Sequence, residues 1–209
     1  MKKIRLTQQQ VALVDDEDYE YLKKYLWTAN KDIYENYYAK TTIKDIDDKN
    51  VVLVMHRFIM DTPKNMICDH AFHNTLDNRK FIEIDGELKE NLRNCTASQN
   101  AMNRKSRKLS SSKYLGVCVT AKGLIVASIY VNKKQINLGT FNSEEEAAVT
   151  YDKAARKYFG KFANPNFKEE DTPNIILNNT SRFSSTYRKS RSYTEEEALN
   201  YIMNKLKSI

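Results

Sequence analysis

The first fifty residues alternate short hydrophobic runs with acidic turns. Tyr19, Leu22 and Leu26 recur at helical spacing behind a cluster of acids, and carboxylates stabilise the first turn of a helix. This pattern predicts a helix across positions 18–26. Three runs typical of β-strands flank it, at residues 10–14, 33–42 and 51–54. We therefore interpret the segment 1–50 as a small α+β lead-in.

Hydrophobic periodicity is weaker between positions 55 and 107. Residues 56–60 fit a short helix that Asp61-Thr62-Pro63 would stop. Thr96 is placed to cap a second helix, running from Ala97 to about Arg107. We interpret the segment 51–109 as one loop-rich module, which ends at a serine-rich linker.

The segment 110–167 has the clearest pattern. Three runs typical of strands, with tight turns between them, occupy residues 114–120, 124–132 and 135–141. Ser143 and Glu146 match a capping box for the following helix, and Gly160 is placed to end it. Small and aromatic side chains share one stripe of this helix, at Ala147, Ala148, Tyr151, Ala154, Ala155 and Tyr158. The pattern predicts a three-stranded antiparallel sheet packed on one helix.

The remaining segment, 168–209, begins as a polar stretch with basic residues between positions 182 and 191. Thr194 and Glu197 match a second capping box, and an amphipathic helix follows them. Its apolar face needs a partner surface. Packing on the rest of the chain is favoured over binding of a second protein.

The charge of the chain is concentrated in its middle. The sequence has 34 Lys and Arg against 27 Asp and Glu, a net charge of +7. A basic run with no acid between positions 101 and 143 comprises Arg104, Lys105, Arg107, Lys108 and Lys113. Such a run attracts a polyanion by releasing counterions, or it is a solvated connector, and charge alone does not separate the two.

Composition excludes several other classes of protein. The longest unbroken aliphatic run, Val51 to Met55, is far shorter than a membrane span, and no signal peptide follows Met1. Three cysteines without a CxxC pair make a disulfide framework improbable and favour a reducing compartment. We expect a protein that is not secreted, located in the cytoplasm or nucleus, with no membrane partner.

An Asp-His pair begins the polar loop of the second segment. Asp69 and the amides that follow it offer the hard oxygen ligands that Mg²⁺ or Mn²⁺ prefers. The adjacent His70 has the chemistry of a general base for activating a water. In a basic environment, this combination suggests phosphodiester hydrolysis. A hydrogen-bonded loop without catalytic function is the alternative on spacing alone.

A longer string of motifs resembles the HNH homing endonucleases, which are ββα-metal nucleases. The matching stretches are His56-Arg57-Phe58-Ile59-Met60, Cys68-Asp69-His70, Leu76-Asp77-Asn78-Arg79, Asn91-Leu92-Arg93-Asn94-Cys95-Thr96 and Gln99-Asn100-Ala101-Met102-Asn103-Arg104. The resemblance implies that Asp69 and Asn100 bind one divalent ion, Mg²⁺ or Mn²⁺, and that His70 is the general base. It also implies that Asn91 ties the loop and orients His70. No small-molecule cofactor is implied.

One departure from this family lies between Arg79-Lys80 and Asn91. Residues Phe81 to Glu90 are inserted there, with Asp85-Gly86 at the apparent tip of a hairpin. The insertion is expected to be either an added β-turn or a perturbation of Asn91.

The segment 113–166 resembles the plant ethylene-response-factor (Apetala-type) DNA-binding domain. The matching residues include Tyr114-x-Gly116-Val117, Leu138-Gly139-Thr140-Phe141 and Tyr151-Asp152-x-Ala154-Ala155. The resemblance implies a sheet that lies in the major groove of DNA, although arginines are scarce on these strands. Across both modules the residues expected to contact DNA are Arg79, Arg104, Lys105, Arg107, Lys108, Lys122, Lys133, Lys134, Gln135 and Asn137.

Taken together, the sequence predicts an α+β protein with a small ββα-metal HNH nuclease core and a three-stranded antiparallel sheet packed on one helix. Its expected segments are 1–50, 51–109, 110–167 and 168–209. The predicted function is metal-dependent cleavage of double-stranded DNA. The alternative is a catalytically inactive, sequence-specific DNA-binding protein or regulator. The sequence leaves the oligomeric state open.

Overall fold

The computed structural model describes residues 1–106, 110–168 and 171–173. The chain forms two compact units, Met1–Asn103 and Arg104–Ile209. Arg107, Lys108 and the predicted C-terminal helix lie outside the described residues. None of the described helices is long and apolar enough to cross a membrane.

The first half of unit 1 contains a β-hairpin, a short helix and a three-stranded antiparallel sheet. The hairpin consists of β1 (Lys2–Arg5) and β2 (Val11–Val14), and α1 (Asp16–Leu22) follows it. The sheet consists of β3 (Thr28–Lys31), β4 (Tyr37–Lys44) and β5 (Asn50–Val54), with β4 in the centre.

Two boundaries in this half differ from the sequence prediction. The helix ends at Leu22 rather than near position 26, because the Trp27 indole N–H donates to the Leu22 carbonyl (2.9 Å) and turns the chain. The predicted strand 33–42 begins only at Tyr37. The Asp32 carboxylate accepts two backbone N–H groups across positions 32–36 and forms a turn, which leaves the Ile33 side chain exposed.

The second half of unit 1 has a strand–loop–strand–helix order. Its elements are α2 (Met55–Ile59), β6 (Ile67–His70), β7 (Phe81–Ile84), β8 (Glu87–Glu90), β9 (Leu92–Cys95) and α3 (Ala97–Met102). The strands β6 and β9 pair antiparallel, and β7 pairs with β8. Both halves share one hydrophobic core, because side chains such as Leu22, Trp27, Met55 and Leu92 belong to the same buried cluster.

The predicted cap of α3 is confirmed, but the helix is shorter than predicted. Thr96 Oγ1 accepts the Gln99 backbone N–H (3.2 Å), and the Gln99 side chain accepts the Thr96 N–H (2.9 Å). The helix ends at Met102 instead of near Arg107. Asn103, its C-cap residue, is held by side-chain hydrogen bonds to β6.

Unit 2 confirms the predicted sheet on a helix. Strands β10 (Val117–Val119), β11 (Ile125–Val131) and β12 (Lys134–Phe141) form an antiparallel sheet in that order, and α4 (Glu144–Phe159) packs on one face. The core between them is built from Val117, Ala127, Ala147 and Ala148, which are small enough for close approach.

Two contacts lock the helix of unit 2 to neighbouring segments. Gly116 has a φ of +78°, and a Cβ there would lie 1.9 Å from the Tyr151 ring, so only glycine fits. The buried Asp152 carboxylate accepts the backbone N–H groups of Asn166 and Phe167 (both 2.8 Å). The segment that follows α4 is therefore hydrogen-bonded to the helix itself.

Candidate active site

The β6–β9 ladder places the Asp-His pair in front of α3. Asp69 lies opposite Arg93 in the antiparallel register, and His70 lies opposite Leu92. The polar loop after His70 leaves this ladder and returns at Asn91, and the capped helix follows β9. This arrangement of two strands and a helix places Asp69, His70 and Asn91 in one unit, close to the helix that presents Asn100.

Asp69 is buried and carries charge-assisted hydrogen bonds. Arg93 donates to its Oδ2 from both Nε (2.9 Å) and Nη2 (2.7 Å). Asn103 Nδ2 donates to Oδ2 (2.9 Å), to Oδ1 (3.2 Å) and to the His70 carbonyl (3.2 Å). Sequence reasoning assigned no role to Arg93 or Asn103. The opposite charges of Asp69 and Arg93 at paired strand positions were the signal that could have identified this contact.

His70 lies deep in the unit, with 5% of its surface exposed. Its ring packs edge-on against His56, with the centroids 4.8 Å apart. Burial lowers the pKa of His70 to about 4, against the opposing influence of the Asn78 side chain and the Asp69 carboxylate. His70 is therefore neutral near pH 7. Its Nε2 is buried and has no hydrogen-bond partner among the described residues, so no other group of unit 1 that the structure describes engages it.

Asn91 is fully buried at the point where the loop rejoins the ladder. Its Nδ2 donates to the carbonyl oxygens of Asp77 (2.9 Å) and Arg79 (2.8 Å). The Arg79 guanidinium forms a two-bond pair with the Asp77 carboxylate, at 2.8 and 2.6 Å. The loop is thus closed around Asn91, and Arg79 is engaged within it.

Acids of the lead-in also hold this loop. Asp15 Oδ2 accepts the Lys80 backbone N–H (2.8 Å), and Lys80 Nζ contacts Glu17 (2.7 Å) and Asp18 (3.1 Å). From the sequence, this acidic cluster is predicted to stabilise the first turn of the helix. In the structure it also positions the segment that precedes Asn91.

The ten-residue insertion forms a separate hairpin. The strands β7 and β8 pair from Phe81–Glu90 to Ile84–Glu87, and Asp85 and Gly86 both have positive φ at the two-residue turn. At its base, the Asn91 N–H donates to the Lys80 carbonyl (2.8 Å). Because the two ends of the insertion meet there, the hairpin does not separate Lys80 from Asn91. Asn91 therefore still lies where the loop rejoins β9.

The donors at this site suit a weakly held, hydrated divalent ion. Asp69 Oδ1 accepts only the long bond from Asn103 among the described residues, so it retains lone-pair capacity. Asn100 lies in α3, one turn before Asn103. No group of three or more His, Cys, Asp or Glu in the described part of the chain could hold a metal. A site with so few protein ligands can still bind Mg²⁺, because this ion keeps several waters and binds one or two protein oxygens together with substrate phosphate.

The expected DNA-contacting residues fall into separate groups. Gln135 and Asn137 are exposed on β12, whereas Lys122 and Lys133 lie in the two turns at opposite ends of the sheet. Gln135 Nε2 donates to Ser128 Oγ (3.0 Å) on the same face. Arg104 and Lys105 are exposed at the start of unit 2. The roles of all these residues, like those of Asp69, His70, Asn91 and Asn100, stay predictions.

These features define a class of protein: an α+β chain with a strand–loop–strand–helix (ββα) unit followed by a sheet-on-helix domain. The uncharacterized HNH endonuclease L560 of Acanthamoeba polyphaga mimivirus is 29% identical to the chain over 161 residues, which is 74% of each sequence. The chain is therefore a distant homologue of an HNH endonuclease, and the resemblance found from sequence is confirmed. No family model and no solved structure matches the chain.

The second resemblance is also confirmed. The AP2/ERF and B3 domain-containing transcription repressor TEM1 of Arabidopsis thaliana is 48% identical over 73 residues, and the similarly described transcription factor RAV1 is 44% identical over 72 residues. The chain carries an AP2/ERF-like domain, in which AP2/ERF denotes the Apetala-type ethylene-response-factor domain. It spans about a fifth of the length of these plant relatives, 20% and 21%.

Proposed function

We propose that the protein is a metal-dependent endonuclease that hydrolyses phosphodiester bonds of double-stranded DNA. The observation that carries this proposal is the unpartnered, buried Nε2 of His70, which follows Asp69 at the end of β6. A neutral imidazole nitrogen in this position can take a proton from an attacking water. The distant homology to an HNH endonuclease supports the same reaction.

The surrounding residues hold this base in place. Asn91 fixes the loop through two carbonyl oxygens, and the His56 ring limits rotation of the His70 ring. Asn103 binds the His70 carbonyl and thereby fixes the backbone of the general base. Such preorganisation is what a general base needs, because small displacements of a reacting group slow catalysis strongly.

Asp69 and Asn100 would hold one Mg²⁺ or Mn²⁺ ion, with waters and a phosphate oxygen completing its shell. When bound, the ion would supply Lewis-acid stabilisation of the charge that develops on the scissile phosphate and the leaving oxygen. We propose cleavage that leaves 5′-phosphate and 3′-hydroxyl ends.

Unit 2 would bind the DNA. Its exposed sheet face, with Gln135 and Asn137, and the lysines of its turns offer polar and positive contacts to a duplex. The AP2/ERF similarity supports this assignment. We place the protein in the compartment that holds the DNA, cytoplasm or nucleus.

A cleavage assay tests the nuclease proposal. Purified protein is incubated with supercoiled plasmid and Mg²⁺ or Mn²⁺, beside His70→Ala, an EDTA control and Asn74→Ala as an exposed change in the same loop. We expect nicked or linear product with wild type and Asn74→Ala, and its loss with His70→Ala and with EDTA. Plasmid that stays supercoiled with both metals would contradict the proposal.

One observation favours a second candidate, a DNA-binding protein that does not cleave. The Asp69 carboxylate is already neutralised by Arg93 and fixed by Asn103, as in a purely structural ion pair. Retarded mobility of a DNA fragment in gels, together with no cleavage in either metal, would support this candidate.

A further inference from the structure

The Asp69–Arg93 pair places a cation on the carboxylate that the proposed function assigns to the metal. Arg93 has 5% of its surface exposed, and Asp69 has 8%. Water screens such a pair poorly, so the charges of the two groups affect each other strongly. A divalent ion that approaches Asp69 therefore meets a poorly screened positive charge within hydrogen-bonding distance of its ligand.

We propose that Arg93 acts as the resident counter-ion of Asp69 and competes with the divalent ion for this carboxylate. This inference rests on the proposed role of Asp69 as a metal ligand. Arg93 neutralises the carboxylate while no metal is bound and keeps the site folded. The same contact weakens metal binding, because the guanidinium must give up Oδ2 or remain beside the ion.

The hydrogen bonds of Asp69 indicate different roles for Arg93 and Asn103. Within the described residues, Arg93 Nε and Nη2 both donate to Oδ2, while Oδ1 accepts a single 3.2 Å bond, from Asn103. Asn103 contacts both oxygens and the His70 carbonyl, and it carries no charge. If Arg93 withdraws, Asn103 still holds Asp69 in place. One residue thus fixes the geometry, and the other sets the electrostatic cost of metal binding.

Mn²⁺ affinity tests the inference without depending on cleavage. The dissociation constant is measured at pH 8, from the spin-resonance signal of free Mn²⁺, for wild type, Arg93→Met, Arg93→Gln and Arg93→Lys. Arg79→Met is the matched control, because Arg79 forms a similar pair with Asp77 in the same unit. Thermal unfolding with and without Mn²⁺ is recorded for each variant.

We expect Arg93→Met and Arg93→Gln to bind Mn²⁺ at least about tenfold more tightly than wild type, because a buried positive charge beside the ligand is gone. Arg93→Lys retains the charge and should stay close to wild type. Arg79→Met should unfold at a lower temperature with unchanged Mn²⁺ affinity. Arg93→Met should lose stability without metal and recover more of it with Mn²⁺ than wild type does.

Mn²⁺ binding that is unchanged or weaker in both neutral variants would overturn the inference and leave Arg93 as a simple brace. If Arg93→Met does not fold, the comparison of the Mn²⁺ affinities of Arg93→Gln and Arg93→Lys decides.

Wild-type plasmid cleavage separates this inference from the proposed function. Cleavage with an unchanged affinity order overturns only the role of Arg93, and the expected order without cleavage overturns only the nuclease. Absence of Mn²⁺ binding in every variant overturns both.

Discussion

The imidazole of His56 lies edge-on against that of His70, with ring centroids 4.8 Å apart and planes inclined at 65°. Both rings are buried, and burial lowers the pKa of His56 to about 3 and that of His70 to about 4. The neutral form of each ring is therefore favoured by the fold. This relationship joins the candidate general base to the helix α2 that precedes its strand.

The histidine pair makes stability depend on pH. As the pH is lowered from about 6.5 to 4, the unfolded chain takes up protons that the folded chain does not. The free energy of unfolding therefore decreases as the pH is lowered through this range. Above pH 6.5 both histidines are neutral in either state, and their full contribution to the free energy of unfolding is present. We expect a loss of about 2 to 3 kcal/mol per histidine by pH 4, measured by urea denaturation across this range. His56→Phe keeps the ring contact and should reduce the slope, whereas an unchanged slope would contradict this account.

The buried amide of Asn91 should contribute strongly to stability. Asn91→Leu preserves volume but leaves the carbonyl oxygens of Asp77 and Arg79 without their donor. We expect a cost of roughly 2 to 4 kcal/mol in the free energy of unfolding and loss of cleavage. Asn74→Leu, an exposed change in the same loop, is the control. Equal stability of the two variants would show that Asn91 does not hold the loop.

The contact between Gly116 and Tyr151 predicts a different sensitivity in unit 2. Gly116→Ala places a methyl group 1.9 Å from the Tyr151 ring, whereas Gly123→Ala meets open space at a similar positive φ. We expect Gly123→Ala to cost about 1 kcal/mol and Gly116→Ala at least about 2 kcal/mol more. Thermal unfolding of the two variants measures the difference. Similar midpoints would mean that the Tyr151 ring moves away freely.

The inserted hairpin should be dispensable for folding. Replacing residues 82–89 by Asn-Gly retains the Phe81–Glu90 pair and the Lys80–Asn91 contact at the base. We expect the circular dichroism spectrum to be preserved and plasmid cleavage to stay within about threefold of wild type, as for other surface changes. Loss of cleavage by a folded variant would show that the hairpin itself contacts DNA.

The lysines of the β11–β12 turn should contribute electrostatically to DNA binding. Lys133→Gln combined with Lys134→Gln is expected to weaken affinity and to reduce the slope of log K against log salt by about 2. The double change Lys153→Gln with Lys157→Gln, on α4, removes the same charge from the opposite side of the domain. Fluorescence anisotropy with a labelled duplex measures both. Identical slopes for the two variants would exclude a specific role for the turn.

Local patterns predicted many of the elements correctly. Thr96 before α3, Ser143 before α4 and Asp85-Gly86 each act over a few residues, so their chemistry is readable along the chain. The sheet of unit 2 was predictable because its strands are consecutive and joined by tight turns. The strand Thr28–Lys31 was missed, because its sequence Thr-Ala-Asn-Lys has no run of β-branched or apolar residues and the strand is defined by pairing with β4.

The candidate site was predictable in part. The Asp-His pair, Asn91 and Asn100 carry a resemblance that depends on residue type and order. The contacts of Asp69 with Arg93 and Asn103 span 24 and 34 positions, and the His56–His70 contact joins two separate elements. Hydrophobic periodicity does not encode such distances.

By itself, the sequence determined the two homologous modules and the local signals that begin and end helices. These depend on side-chain identity and on interactions within one or two turns. Only the tertiary structure decided that the lead-in and the segment with the Asp-His pair share a core, that acids near α1 hold Lys80, and that Asp69 is neutralised by Arg93. The physical reason is that burial and charge pairing arise when distant segments exclude water together, so they belong to the folded chain and not to any of its segments.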